Sequence, residues 1–176
     1  MRHKLLILGA LGLAALTVTT VAVASTLTTT GTVSGTAGIS MAMPGNPSFS
    51  DTLDGTDQTA SYSALLGITD ARGTGPGWNL TISATSFSDG SGHTLAPGAV
   101  SAVSASCTGG SSCTGATNAI TYPLTVTGSA VKFFNAAAAT GMGKVNVTPT
   151  VDVAIPGSAY AGTYTSTVTL AAVTGP

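Results

Sequence analysis

The most regular alternation in the chain runs from position 78 to 87, where Trp78, Leu80, Ile82 and Ala84 interleave with Asn79, Thr81, Ser83 and Thr85. A period of two sends one set of side chains to a single face, so this stretch predicts a β-strand with one buried face. Val145, Val147, Val151 and Val153 fall on one side from Lys144 onward, with Pro149 as an interruption. After the turn at 160–162 the pattern returns, with Thr163, Thr165, Thr167 and Thr169 outward and Tyr164, Val168 and Leu170 inward. Shorter strands are expected at 39–43, before Pro44, at 49–53, before Asp54-Gly55, and at 59–70, which carries Tyr62, Leu65, Leu66 and Ile68. Weaker ones are expected at 99–106 and 118–127, where Pro123 argues for an edge or a bulge. A short helix is expected only at 131–139, where Phe133-Phe134 is followed by a run of alanines and Gly141 would be the stop.

Strands at this spacing, separated by Gly-rich turns, predict an all-β fold: a single antiparallel β-sandwich or open barrel, with no internal repeat. Composition agrees. Ser, Thr, Gly, Ala and Val dominate, and glutamate is absent. A mean hydropathy of +0.44 and a net charge near zero are the reverse of the disordered signature.

At the N-terminus, Arg2, His3 and Lys4 precede an apolar run from Leu5 that ends on Ala22-Val23-Ala24. The layout predicts a secretion signal over 1–24, cleaved before Ser25. An uncleaved membrane anchor is the alternative, since the run is long enough to span a bilayer; the membrane would be a partner only through that segment. Residues 25–36 are a Ser/Thr/Gly-rich leader or edge strand, and 37–176 the folded domain. Cys107 and Cys113, in a Gly/Ser-rich loop of an exported chain, are expected to form a local disulfide.

Charge narrows the function. Beyond the signal, only Arg72, Lys132 and Lys144 stand against Asp51, Asp54, Asp57, Asp70, Asp89 and Asp152. Three scattered cations cannot neutralise a phosphate backbone, which argues against nucleic acid as a partner. Catalysis is argued against by the lack of glutamate, by a lone His93 at a turn tip, and by the absence of a Gly-x-Ser-x-Gly elbow. Asp51, Asp54 and Asp57 lack the spacing of a calcium loop and read as turn formers, so no metal or cofactor is expected. Trp78, directly after a Gly-Pro-Gly turn, reads as a core aromatic in preference to a ligand platform.

The stretch Ile68-Thr-Asp-Ala-Arg-Gly-Thr-Gly-Pro-Gly-Trp78-Asn-Leu-Thr-Ile82 resembles the first signature of the WxL-domain family, a Val-x-Asp turn leading to Gly-Trp-x-Leu on a strand. The terminal Tyr164-Thr-Ser-Thr-Val168-Thr-Leu170 is similar to that family's distal signature, in which Tyr precedes Trp-Thr-Leu by four residues. Val168 stands where the second tryptophan would be. The resemblance implies a secreted, extracellular protein held non-covalently on the wall of Gram-positive bacteria, with a wall polysaccharide or peptidoglycan, and other surface proteins, as partners. It makes Trp78 the candidate contact residue, framed by Leu80, Tyr164 and Leu170. Without a Leu-Pro-x-Thr-Gly motif, retention is expected to come from the fold itself. The rival reading is a structural subunit that assembles through strand edges, which carry few of the charges that normally block edge pairing.

Overall fold

The computed structural model describes residues 29–43 and 45–176. The signal expected at 1–24 lies outside the described residues, as do positions 25–28 of the leader; residues 29–36 are exposed and carry no regular structure. The chain divides between Thr32 and Val33, and every strand among the described residues lies in the unit Val33–Pro176.

These strands are β1 (Ile39–Ala42), β2 (Gln58–Ser63), β3 (Leu66–Asp70), β4 (Trp78–Ala84), β5 (Phe87–Ser88), β6 (Thr94–Leu95), β7 (Ala99–Cys107), β8 (Leu124–Thr125), β9 (Val131–Ala136), β10 (Gly143–Ile155) and β11 (Val168–Thr174). All pairings are antiparallel. A six-stranded sheet runs in the order β1-β3-β10-β7-β8, with β2 also on β10; a second sheet runs β11-β4-β9, and β5 and β6 form a small ribbon. The sheets do not close into a barrel. Leu66, Ile68, Val145, Val147 and Val151 of the large sheet share one core with Trp78, Leu80, Ile82 and Phe134 of the smaller. Alternation therefore has a cause: each sheet keeps one face on this core and one on water.

The alternation at 78–87 becomes β4, whose Trp78, Leu80, Ile82 and Ala84 are all buried. Pro149 does not interrupt its strand, because β10 runs through it for thirteen residues. The stretch expected as one strand over 59–70 is instead split into β2 and β3, both paired to the same edge of β10. These two differences share a cause. Pro149 has no N–H for the neighbouring strand, and its carbonyl takes the Ala64 N–H at 3.3 Å, at the gap between β2 and β3. The break at Ala64-Leu65 thus falls opposite the position that cannot complete a ladder, and leaves Leu65 half exposed.

The helix expected at 131–139 is not formed; residues 131–136 are strand β9. Its pairing with β4 shifts register between Leu80 and Thr81, because Leu80 faces Phe134 while Thr81 faces Lys132. Phe133 is the extra residue of this bulge, which lets two consecutive phenylalanines both be buried. Burial of that pair overrides the helix preference of the alanines, and Ala139 adopts a turn with φ 64° whose N–H bonds to Gly75 O at 2.8 Å.

Of the strand expected at 118–127, only Leu124–Thr125 is strand. Side chains replace the ladder there. Asn118 Oδ1 accepts from Asn135 N at 3.0 Å, Asn135 Oδ1 accepts from Ala119 N at 2.9 Å, and Tyr122 Oη donates to Phe133 O at 2.6 Å. Residues 49–53 are likewise irregular.

Candidate wall-binding surface

The turn before β4 is built around an ion pair. Arg72 donates to both carboxylate oxygens of Asp70 at 2.8 Å, and to Gly77 O at 2.8 Å, so one guanidinium ties the end of β3 to the start of β4. The Arg72 hydrogen bonds hold the Asp70 carboxyl below the usual carboxylate range, against the opposing effect of burial. Gly77 has φ 75°, and a Cβ there would lie 2.6 Å from Ala136 O. Only glycine permits that approach.

Trp78 enters the core directly after this turn and is 0% exposed. Its ring packs on Phe134 with centroids 5.7 Å apart, and Nε1 donates to Gly141 O at 3.0 Å. The disulfide loop supports that acceptor. Cys107 and Cys113 are bridged, as expected from their setting, with Cα atoms 5.7 Å apart. The bridge holds Thr114 over the turn, where Thr114 O accepts from Gly141 N at 3.1 Å and its Oγ1 from Met142 N at 2.8 Å. Asp70, Arg72, Trp78, Gly141 and the disulfide loop thus form one braced unit.

The four candidate contact residues are not equivalent. Trp78 and Leu80 are fully buried, and neither presents a face to solvent in this arrangement. Tyr164 and Leu170 are half buried and belong to a different part of the surface. They line an open cleft of about 1160 Å³ between residues 45–53 and 159–168, somewhat above the usual range for small-molecule sites of about 300–1,000 Å³. Val168, at the place of the missing second tryptophan, also lines it.

The cleft carries aromatic residues that no sequence pattern joined. Phe49 stacks on Tyr62 at 6.1 Å and meets Phe87 edge-on at 5.5 Å. Tyr160 stands at the rim, 63% exposed, and stacks on His93 at 3.7 Å. His93 is not a free loop side chain, since its Nδ1 lies 2.6 Å from Asp89 Oδ2. That bond lowers the Asp89 pKa. Of the aspartates read as turn formers, Asp54 closes a local turn by accepting from Thr56 N at 2.9 Å, whereas Asp57 accepts from Gly157 N at 2.9 Å and ties two distant segments together.

Residues 39–173, from the first residue of β1 to the penultimate residue of β11, match the family model of the WxL domain, described as surface cell wall-binding. The chain belongs to the WxL-domain family. Comparison with curated proteins and with solved structures finds no match. Membership places this WxL domain outside the cell, on the wall. The family is a binding family and not an enzymatic one. In this member Trp78 and Leu80 of the first signature are interior, and Tyr164, Val168 and Leu170 of the second border the cleft.

Proposed function

We propose that this WxL domain holds its protein on the cell envelope non-covalently, by binding peptidoglycan or another wall glycan, and that it performs no turnover chemistry. The observation that carries the reading is the open, nearly uncharged cleft in a domain of a wall-binding family. Among the described residues its lining offers aromatic faces and hydroxyls and holds no paired acid and base, which suits recognition and not catalysis. Assembly through strand edges has less support. The edge strand β1 is only four residues long, and Pro47 stands in the segment between β1 and β2. The test is sedimentation of the purified protein with isolated cell walls. Binding that saturates and survives competition by an unrelated protein is expected. A protein that stays in the supernatant, or forms large assemblies by size-exclusion chromatography without wall, refutes the reading.

A further inference from the structure

Resting on that reading, we propose that the cleft between residues 45–53 and 159–168 is the ligand site, and that its ligand is an uncharged pyranose chain of the wall. Anionic wall polymers are thereby excluded as the ligand.

Tyr160 is the first ground. A tyrosine this exposed would ordinarily be a mobile surface side chain, but this one is braced. His93 covers one face of the ring, Asp89 fixes His93, and Tyr164 Oη donates to Tyr160 O at 3.0 Å. Asp89 is itself held, because its Oδ1 accepts from Ser91 N at 2.8 Å and from His93 N at 3.0 Å. A ring fixed before binding loses little freedom on contact, and an aromatic face is the surface on which the C–H face of a pyranose rests.

The second ground is Tyr62. It lines the cleft and is 8% exposed, yet its hydroxyl has no hydrogen-bond partner among the described residues. Buried polar groups are normally paired, so an unpaired hydroxyl on a residue that lines the cleft leaves one hydrogen bond for a ligand's polar atom to complete. A sugar hydroxyl would satisfy it as donor or acceptor.

Charge selects among wall polymers. Among the described residues no lysine or arginine lines the cleft, and Asp51 is its one carboxylate. A phosphate-bearing chain would meet no cation and one anion. A neutral pyranose, apolar on its faces and polar around its rim, matches a lining that combines apolar Phe87 and Leu170 with the hydroxyls of Ser50, Thr163 and Thr165. Val168 matters to the shape, because it lines the cleft and a bulky aromatic there would take up part of its space.

The experiment uses the whole chain and its Tyr160→Ala and Tyr62→Phe variants. Each is sedimented with walls before and after chemical removal of anionic polymers, and titrated calorimetrically with soluble β-1,4-linked N-acetylglucosamine oligomers. Wild type should bind stripped walls as well as intact ones and release heat with the oligomers. Tyr160→Ala should weaken both interactions by about tenfold or more, and Tyr62→Phe by a smaller factor, with melting midpoints close to wild type. If wild type sediments and both variants match it, the site is wrong while the wall-binding reading stands. Loss of binding on stripping would overturn the choice of an uncharged ligand. Oligomers that give no heat, with Tyr160→Ala still losing the wall, would overturn the sugar. Wild type that never sediments removes both the reading and the site.

Discussion

Replacing Trp78 with alanine separates a core role from a contact role, because the two differ in what is lost. The indole is fully buried against Phe134, and its N–H is held by Gly141 O. Truncation would empty an indole-sized volume in the core beside Phe134, at a cost of about 3–5 kcal/mol for a large buried aromatic. The stranded Gly141 carbonyl adds about 1 kcal/mol unless water reaches it. For a domain of this size the sum corresponds to a fall in Tm of roughly 8–24 °C. Far-UV circular dichroism during urea and thermal unfolding measures this, since the variant has no tryptophan to report. Trp78→Phe should keep the fold, with a smaller loss. The wild-type protein, whose one tryptophan is this residue, should emit in the blue and resist quenching by acrylamide. An unchanged midpoint together with red, freely quenched emission would refute the burial argument and restore Trp78 as a surface contact.

Three further outcomes are expected from the same braced unit. Gly141→Ala should destabilise by about 1–3 kcal/mol in urea titrations, because the new Cβ would lie 2.6 Å from Ala136 Cβ and 2.7 Å from Trp78 Nε1, at a φ of 69°; wild-type stability would show that the turn can move away. Asp70→Asn should cost about 1.5–3 kcal/mol at neutral pH, since Arg72 loses a charged hydrogen-bond partner at the turn. Because the folded-state pKa of Asp70 is lowered, its contribution is present above the unfolded value of about 3.9 and is lost as pH falls through the folded one. Urea midpoints of wild type and Asp70→Asn should therefore converge as pH falls below about 4, and parallel curves would contradict the assignment. Replacing both Cys107 and Cys113 with serine should lower stability by about 2 kcal/mol, toward the low end for disulfides because the loop is short. It should also shift Trp78 emission to the red by loosening the Thr114 to Gly141 contacts; emission identical to wild type would uncouple the loop from the indole.

Where a single strand faces the core, its burial was readable. The buried positions of β4 and the half-buried Val168, Leu170 and Ala172 of β11 follow their period of two. Reading failed where a neighbour decides. The break in 59–70 is set by Pro149, far along the chain, and the strand at 131–136 depends on a bulge opposite Leu80 that no local pattern encodes. Alanine-rich composition pointed to helix there, whereas burial of Phe133 and Phe134 in a two-sheet core outweighs a per-residue preference worth tenths of a kcal/mol.

The candidate site was less legible than the fold for a related reason. Signature residues stand out in a sequence because they are large or conformationally special, and in this domain those properties serve the interior: Trp78 fills it, Gly77 and Gly141 permit the close approaches around it, and Arg72 locks its entry. The cleft is instead assembled from Phe49, Tyr62, Phe87, Tyr160 and Tyr164, drawn from segments that only the fold brings together. None of them carries a local pattern that would mark it. Val168 links the two levels, being a signature position whose side chain borders the cleft. A change there alters the space open to a ligand and leaves the braced unit around Trp78 intact. Variation in ligand within this architecture should therefore concentrate at Val168 and the two flanking segments, while the Asp70-to-Trp78 turn stays fixed by packing.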